Sequence, residues 1–142
     1  MQKVIGTFLM LVLGSTAHAS SCTDFSGVYQ GSDEVTLTVV QVGCDSAKFS
    51  YKGPTETFIN PFTFDGVLRK TALVDGVTNF EAATFRYGEF IAIEGENHFM
   101  DKVMKYERKV SLVENRTLLD EIGHYANDGT FIHQTQAVYV RK

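Results

Sequence analysis

The residues of this chain with the most chemistry in them lie close together near its C-terminus. They are Tyr106 and Arg108, Asp120 and His124, and His133 and Tyr139. Val103, Lys105, Glu107, Lys109 and Ser111 form the wet face of one alternating segment, so Met104, Tyr106, Arg108, Val110 and Leu112 face the other way. A guanidinium on an apolar face needs a counter-charge or a ligand, because an unpaired buried charge is costly. The following segment supplies a carboxylate in either register. A three-residue loop Glu114-Asn115-Arg116 brings Asp120 to the inner face near Arg108, and a two-residue Asn115-Arg116 loop brings Glu121 there instead.

The three-residue loop is preferred, because it turns Leu118, Asp120, Ile122 and His124 inward together. Carried through Asp128-Gly129, that register sets His133 opposite His124. It also turns Phe131, Thr135, Ala137 and Tyr139 inward, with Gln134 and Gln136 outward. A wall that mixes aromatic, aliphatic and a few polar groups is the usual lining of a small-molecule pocket. Arg108 with Asp120 has an alternative reading as a satisfied structural ion pair. His124 and His133 are an incomplete metal set, with Asp120 two pairs away along the strand, so no metal site and no cofactor is assigned.

No nucleophile stands in a recognisable catalytic context. Gly-x-Ser-x-Gly, His-Glu-x-x-His and a Gly-rich phosphate loop are all missing, and the expectation is a protein that is not an enzyme.

The elements that must position these residues are strands. Asp65-Gly66, Asp75-Gly76, Tyr87-Gly88 and Asp128-Gly129 tolerate the positive φ angles of tight hairpins, and the segments between them alternate apolar with polar. Ten strands are expected, over 25–30, 34–42, 46–52, 56–64, 67–74, 77–86, 89–97, 102–112, 117–125 and 130–140. A two-residue Asp75-Gly76 loop sets Lys70 opposite Glu81. A two-residue Tyr87-Gly88 loop sets Arg86 opposite Glu89, and also Glu81 opposite Glu94, an unfavourable pair that calls for a bulge in one of them. One apolar face and no helical periodicity leave closure into a barrel or folding into a sandwich. Short successive connections favour an all-β, antiparallel up-and-down meander barrel of eight to ten strands.

Of the 142 residues, the first nineteen read as a secretory signal peptide: Lys3, an apolar run from Val4 to Leu13, and Ala17-His18-Ala19 before Ser20. The remainder, 20–142, is one domain with no second apolar run of membrane-spanning length. Its two cysteines, Cys22 and Cys44, are expected to be bridged in an oxidising compartment, periplasmic or extracellular. A second reading makes Cys22 the lipid-modified first residue of a bacterial lipoprotein. A net charge of −4 without a Lys/Arg cluster argues against a nucleic-acid partner. Asn115-Arg116-Thr117 fits the glycosylation sequon, which matters only in a eukaryotic source.

Phe25-Ser26-Gly27-Val28-Tyr29 resembles the opening strand of a lipocalin, with Tyr29 where that family typically has Trp. Tyr139-Val140-Arg141 is similar to the terminal strands of the wider calycin group. The resemblance implies a calycin-like barrel in which Arg141 lies as a lid across Tyr29. It also implies ligand binding as a family habit, though the long lipocalin helix has no counterpart here. The expected function is an exported binding protein that holds a small, largely apolar ligand whose polar or anionic group meets Arg108 and Tyr106. The alternative is a filled barrel that acts on a protein partner, such as an envelope enzyme that it inhibits, through the loops 30–34, 53–55 and 97–101.

Overall fold

The computed structural model describes residues 21–142, without the side chains of residues 72–74. The proposed signal peptide, and with it the start of the mature chain, lies outside the described residues. Ten strands follow in sequence: β1 Gly27–Gln30, β2 Thr36–Val42, β3 Ser46–Lys52, β4 Thr57–Thr63, β5 Arg69–Val74, β6 Val77–Arg86, β7 Phe90–Phe99, β8 Lys102–Val113, β9 Thr117–Tyr125 and β10 Phe131–Arg141. All pairings are antiparallel, in one sheet ordered β4-β3-β2-β1-β10-β9-β8-β7-β6-β5. The all-β, up-and-down class expected from the turn chemistry is the class observed.

The ladder is not closed. The expectation that Asp65-Gly66 makes a local hairpin is overturned, because β4 and β5 stand at opposite ends of the sheet. The chain leaves β4 at this corner and crosses to β6, where Asp65 forms a single bridge with Thr84 and the Gly66 amide donates to the Ala83 carbonyl at 2.9 Å. Arg69 grips Asp65 with two hydrogen bonds of 2.7 Å and pins the crossover. Side chains span the rest of the seam: Asn60 Nδ2 donates to Glu81 Oε2 at 2.9 Å, and Phe64 meets Phe85 edge-on at 5.3 Å. Pro61 sits in β4, an edge strand, where its missing N–H costs no ladder bond.

Two registers differ from expectation. Asp75-Gly76 is a two-residue hairpin, Val74 facing Val77, but a bulge at Thr71 sets Arg69 opposite Glu81 in place of Lys70. Arg86 pairs with Phe90 and not with Glu89, so Glu81 falls opposite Gly95 and the clash with Glu94 does not arise. One added residue in the turn relieves a like-charge pair and turns Glu81 to the inside.

The sheet curls until its inner face meets itself, and the end that carries both described chain termini is packed solid. Phe25, Tyr29, Leu37, Val39, Phe49, Phe62, Ile91, Ile93, Val110 and Leu118 form one buried cluster there. Phe25, just before β1, lies 5.9 Å from the Phe85 ring and plugs that end. Arg141 covers the plug as the family resemblance implied. Its guanidinium carbon lies 5.2 Å from the Tyr29 ring centroid, and Nη2 donates to Tyr29 Oη at 2.8 Å and to the Ser26 carbonyl at 3.1 Å. The Cys22–Cys44 disulfide ties the segment before β1 to the β2–β3 turn.

Candidate functional site

Above the packed end the interior changes from hydrocarbon to a hydrogen-bonded ion cluster. The three-residue loop 114–116 sets Val113 opposite Thr117 and Val110 opposite Asp120, the register preferred from the sequence. Arg108 then reaches Asp120 in a fork: Nε donates to Oδ1 at 2.7 Å and Nη2 to Oδ2 at 2.6 Å. Nη2 also donates to Tyr51 Oη at 2.6 Å, and Nη1 lies 3.9 Å from Glu81 Oε1. Glu81 is in turn held by Tyr106, whose hydroxyl lies 2.7 Å from its Oε1 and 2.9 Å from Asn79 Oδ1.

These groups are out of water. Asp120 is 4 % and Glu81 6 % exposed, so both carboxylates depend on their protein partners. Burial draws the Arg108 pKa down, but the facing Tyr51, Asp120 and Glu81 outweigh it and leave the guanidinium firmly charged. Burial pushes the Tyr51 and Tyr106 phenols well above the ordinary tyrosine range, and both keep their protons.

A backbone feature makes room for this arrangement. Gly95 faces Tyr106 across β7 and β8, and the phenol ring lies flat over it; a Cβ at Gly95 would fall inside that ring. The glycine lets the tyrosine lean along the sheet toward Glu81, a use of strand glycine by a cross-strand aromatic.

Over the cluster opens an interior pocket of about 240 Å³, lined by Phe58, Asn60, Asn79, Glu81, Asn97, Tyr106, Arg108, Ile122 and His124. Three larger hollows are open: two, of about 560 and 490 Å³, on the outer face of β6–β10 among side chains such as Ala82, Ala92, Glu94, Glu107 and Lys109, and one of about 550 Å³ beside the Cys22–Cys44 disulfide. The interior one is the better candidate site, because the buried Glu81 carboxylate and its partner Tyr106 line it together with Arg108.

The residues singled out from sequence are distributed as follows. Tyr106, Arg108 and His124 line the pocket. Asp120 stands behind Arg108 and fixes it. His133 pairs with His124, as the register required, and stacks on it at 4.4 Å, but it is exposed at the mouth. Tyr139 packs on Tyr51 at 6.2 Å, outside the pocket. The expectation that Phe131 faces inward is overturned, because a bulge between Phe131 and His133 turns Phe131 out against Tyr125; Thr135 pairs with the inward Ile122 but is exposed. Met104, also assigned to the inner face, is 42 % exposed near the rim.

Sequence reasoning missed Glu81, Asn60, Asn79 and Asn97. For Asn79 and Glu81 the signal was weak because both faces of β6 mix polar and apolar side chains: Asn79, Glu81, Ala83 and Phe85 turn in, while Thr78, Phe80, Ala82 and Thr84 turn out; Asn60 and Asn97 lie on β4 and β7. Among the described residues, no three His, Cys, Asp or Glu side chains are placed to hold a metal ion. No described helix is long and apolar enough to cross a membrane. No protein-family model matches the chain, and no curated protein matches it.

Proposed function

We propose that this is an exported, calycin-like binding protein that holds one small molecule in the polar chamber at the upper end of its curled sheet. The observation that carries the reading is Asn60 Oδ1, a buried amide oxygen of a pocket-lining residue with no hydrogen-bond partner. Buried polar atoms are almost always satisfied, and an orphan on a residue that lines a hollow points to a ligand atom as its partner. The disulfide fits an oxidising, exported location.

The chamber is more polar than an apolar ligand would ask for. Three asparagines, a carboxylate, a guanidinium, a phenol and an imidazole line it, with Phe58 and Ile122 as the apolar contribution. The ligand is therefore a compact molecule rich in hydrogen-bonding groups, and the solid lower half of the interior leaves no channel for a long chain.

Native mass spectrometry of protein purified from its own source, without refolding, tests this. Wild type is expected to carry a bound small mass that denaturation releases, and Ile122→Trp, which fills the chamber, is expected to lack it. Equal occupancy in both proteins, or none in either, would remove the proposal.

A further inference from the structure

The chamber's charges do not balance. Glu81 and Asp120 contribute two carboxylates, and Arg108 is the one guanidinium between them. Both carboxylates are more than nine-tenths buried, so the surplus negative charge sits where the protein interior screens it least.

A donor is missing at Asn60 as well. Glu81, as a carboxylate, only accepts, so Asn60 must turn its Nδ2 toward Oε2 and leave Oδ1 unpaired. Flipping that amide would set oxygen against oxygen. The Tyr106 hydroxyl has one proton and two acceptors within reach, Glu81 Oε1 and Asn79 Oδ1. Arg108 Nε and Nη2 are committed to Asp120 and Tyr51, and its remaining nitrogen, Nη1, stands beside Glu81, 3.9 Å from Oε1. An anion entering here would meet Glu81 at close range.

We infer that the pocket selects a ligand with a primary ammonium group, seated between Glu81 and Asn60 Oδ1 with its body against Phe58. The inference rests on the chamber being a ligand site, as proposed above. An ammonium brings one positive charge and three donors to a site that lacks one charge and at least one donor. A hydroxyl brings one donor and no charge, and a carboxylate brings neither.

The same reasoning fixes what Glu81→Gln should do. The amide keeps an oxygen for Tyr106 and offers an N–H that Asn60 Oδ1, once flipped toward it, can accept. The interior charge falls to zero. The unliganded variant should melt at a higher temperature than wild type while it loses the ammonium site, a common relation between stability and a binding site.

Calorimetric titration with benzylamine, benzyl alcohol and benzoate, which share a body and differ in charge, tests this. Benzylamine is expected to bind wild type at least about tenfold more tightly than benzyl alcohol, with benzoate weakest, as expected for truncating one partner of a buried charge pair. Glu81→Gln should abolish that preference and raise the melting temperature. Asn60→Ala, which keeps the Glu81 charge, should weaken benzylamine alone and serves if Glu81→Gln does not fold. Benzoate binding as tightly as benzylamine would overturn the inference and leave the chamber as a ligand site of another class. If none of the three probes binds, the inference fails as well, and the Ile122→Trp comparison decides separately whether the chamber holds anything.

Discussion

Arg108 is the residue on which the interior turns. It is the shared partner of Asp120, Tyr51 and Glu81, so removing it strands two buried carboxylates. Arg108→Met is expected to cost about 3–5 kcal/mol of folding stability, the range for breaking a buried ion pair from one side. Arg108→Met with Asp120→Leu should cost less than the first change alone, and urea denaturation of both variants checks this. A second expectation belongs to the mouth. Burial, and then the stacked His133, lower the His124 pKa below its ordinary 6.5. The unfolded chain therefore takes that proton first. The stability that neutral His124 contributes is present above pH 6.5 and is lost as pH falls through its lower folded value. Denaturation at pH 7 and pH 5 should show a smaller acid loss in His133→Gln than in wild type. Arg108, Asp120 and the His124–His133 pair were legible from sequence because wet-face charges on β8 fixed the inner face and one loop length fixed the rest. Glu81 was not, because its placement depends on a bulge at Thr71 and an added turn residue, neither of which has a side-chain signature, and Asn60 was not, because the opposite face of β4 carries Ile59 and Pro61 and does not stand out as the wet one.

At the scale of elements, β6, β7 and β8 act as a unit around Gly95. The Tyr106 ring fills the space that a Gly95 side chain would take, and its hydroxyl bridges to Glu81 and Asn79 on β6. Gly95→Ala must either expel the ring or spread the strands, so a loss above about 4 kcal/mol is expected, the range of severe core overpacking with a broken buried network. A variant within about 1 kcal/mol of wild type would show that the ring does not lie there. Strand existence was read correctly for all ten elements because turn residues and alternation agreed. The Asp65-Gly66 corner misled because the same dipeptide that closes a hairpin also permits a crossover: Gly66 has φ of +72° here, in the left-handed region that a hairpin turn also uses. Only the partner strand distinguishes the two outcomes, and that choice is made by the seam contacts of Asn60, Phe64 and Asp65 with β6.

Across the whole molecule, a solid end and a hollow end divide the work. The closed end carries the aromatic plug, the Arg141 lid and the disulfide, and it holds the curl of a sheet whose ladder is open. Bridging Cys22 to Cys44 closes a short loop, so replacing both by Ser is expected to cost about 3 kcal/mol by chain entropy. Guanidinium denaturation measures it, and the loss should fall on folding stability with little change in probe affinity, because the disulfide lies at the far end from the chamber. The open end carries the polar network and the orphan amide oxygen. The central claim is that this chamber is built around something the chain itself does not supply. A crystal structure of the protein purified from its own source, without refolding, tests it most directly. The account expects non-water density bonded to Asn60 Oδ1 and Glu81, with Arg108 still forked onto Asp120. A chamber filled by its own side chains, or Arg108 swung out to bulk solvent, would contradict it.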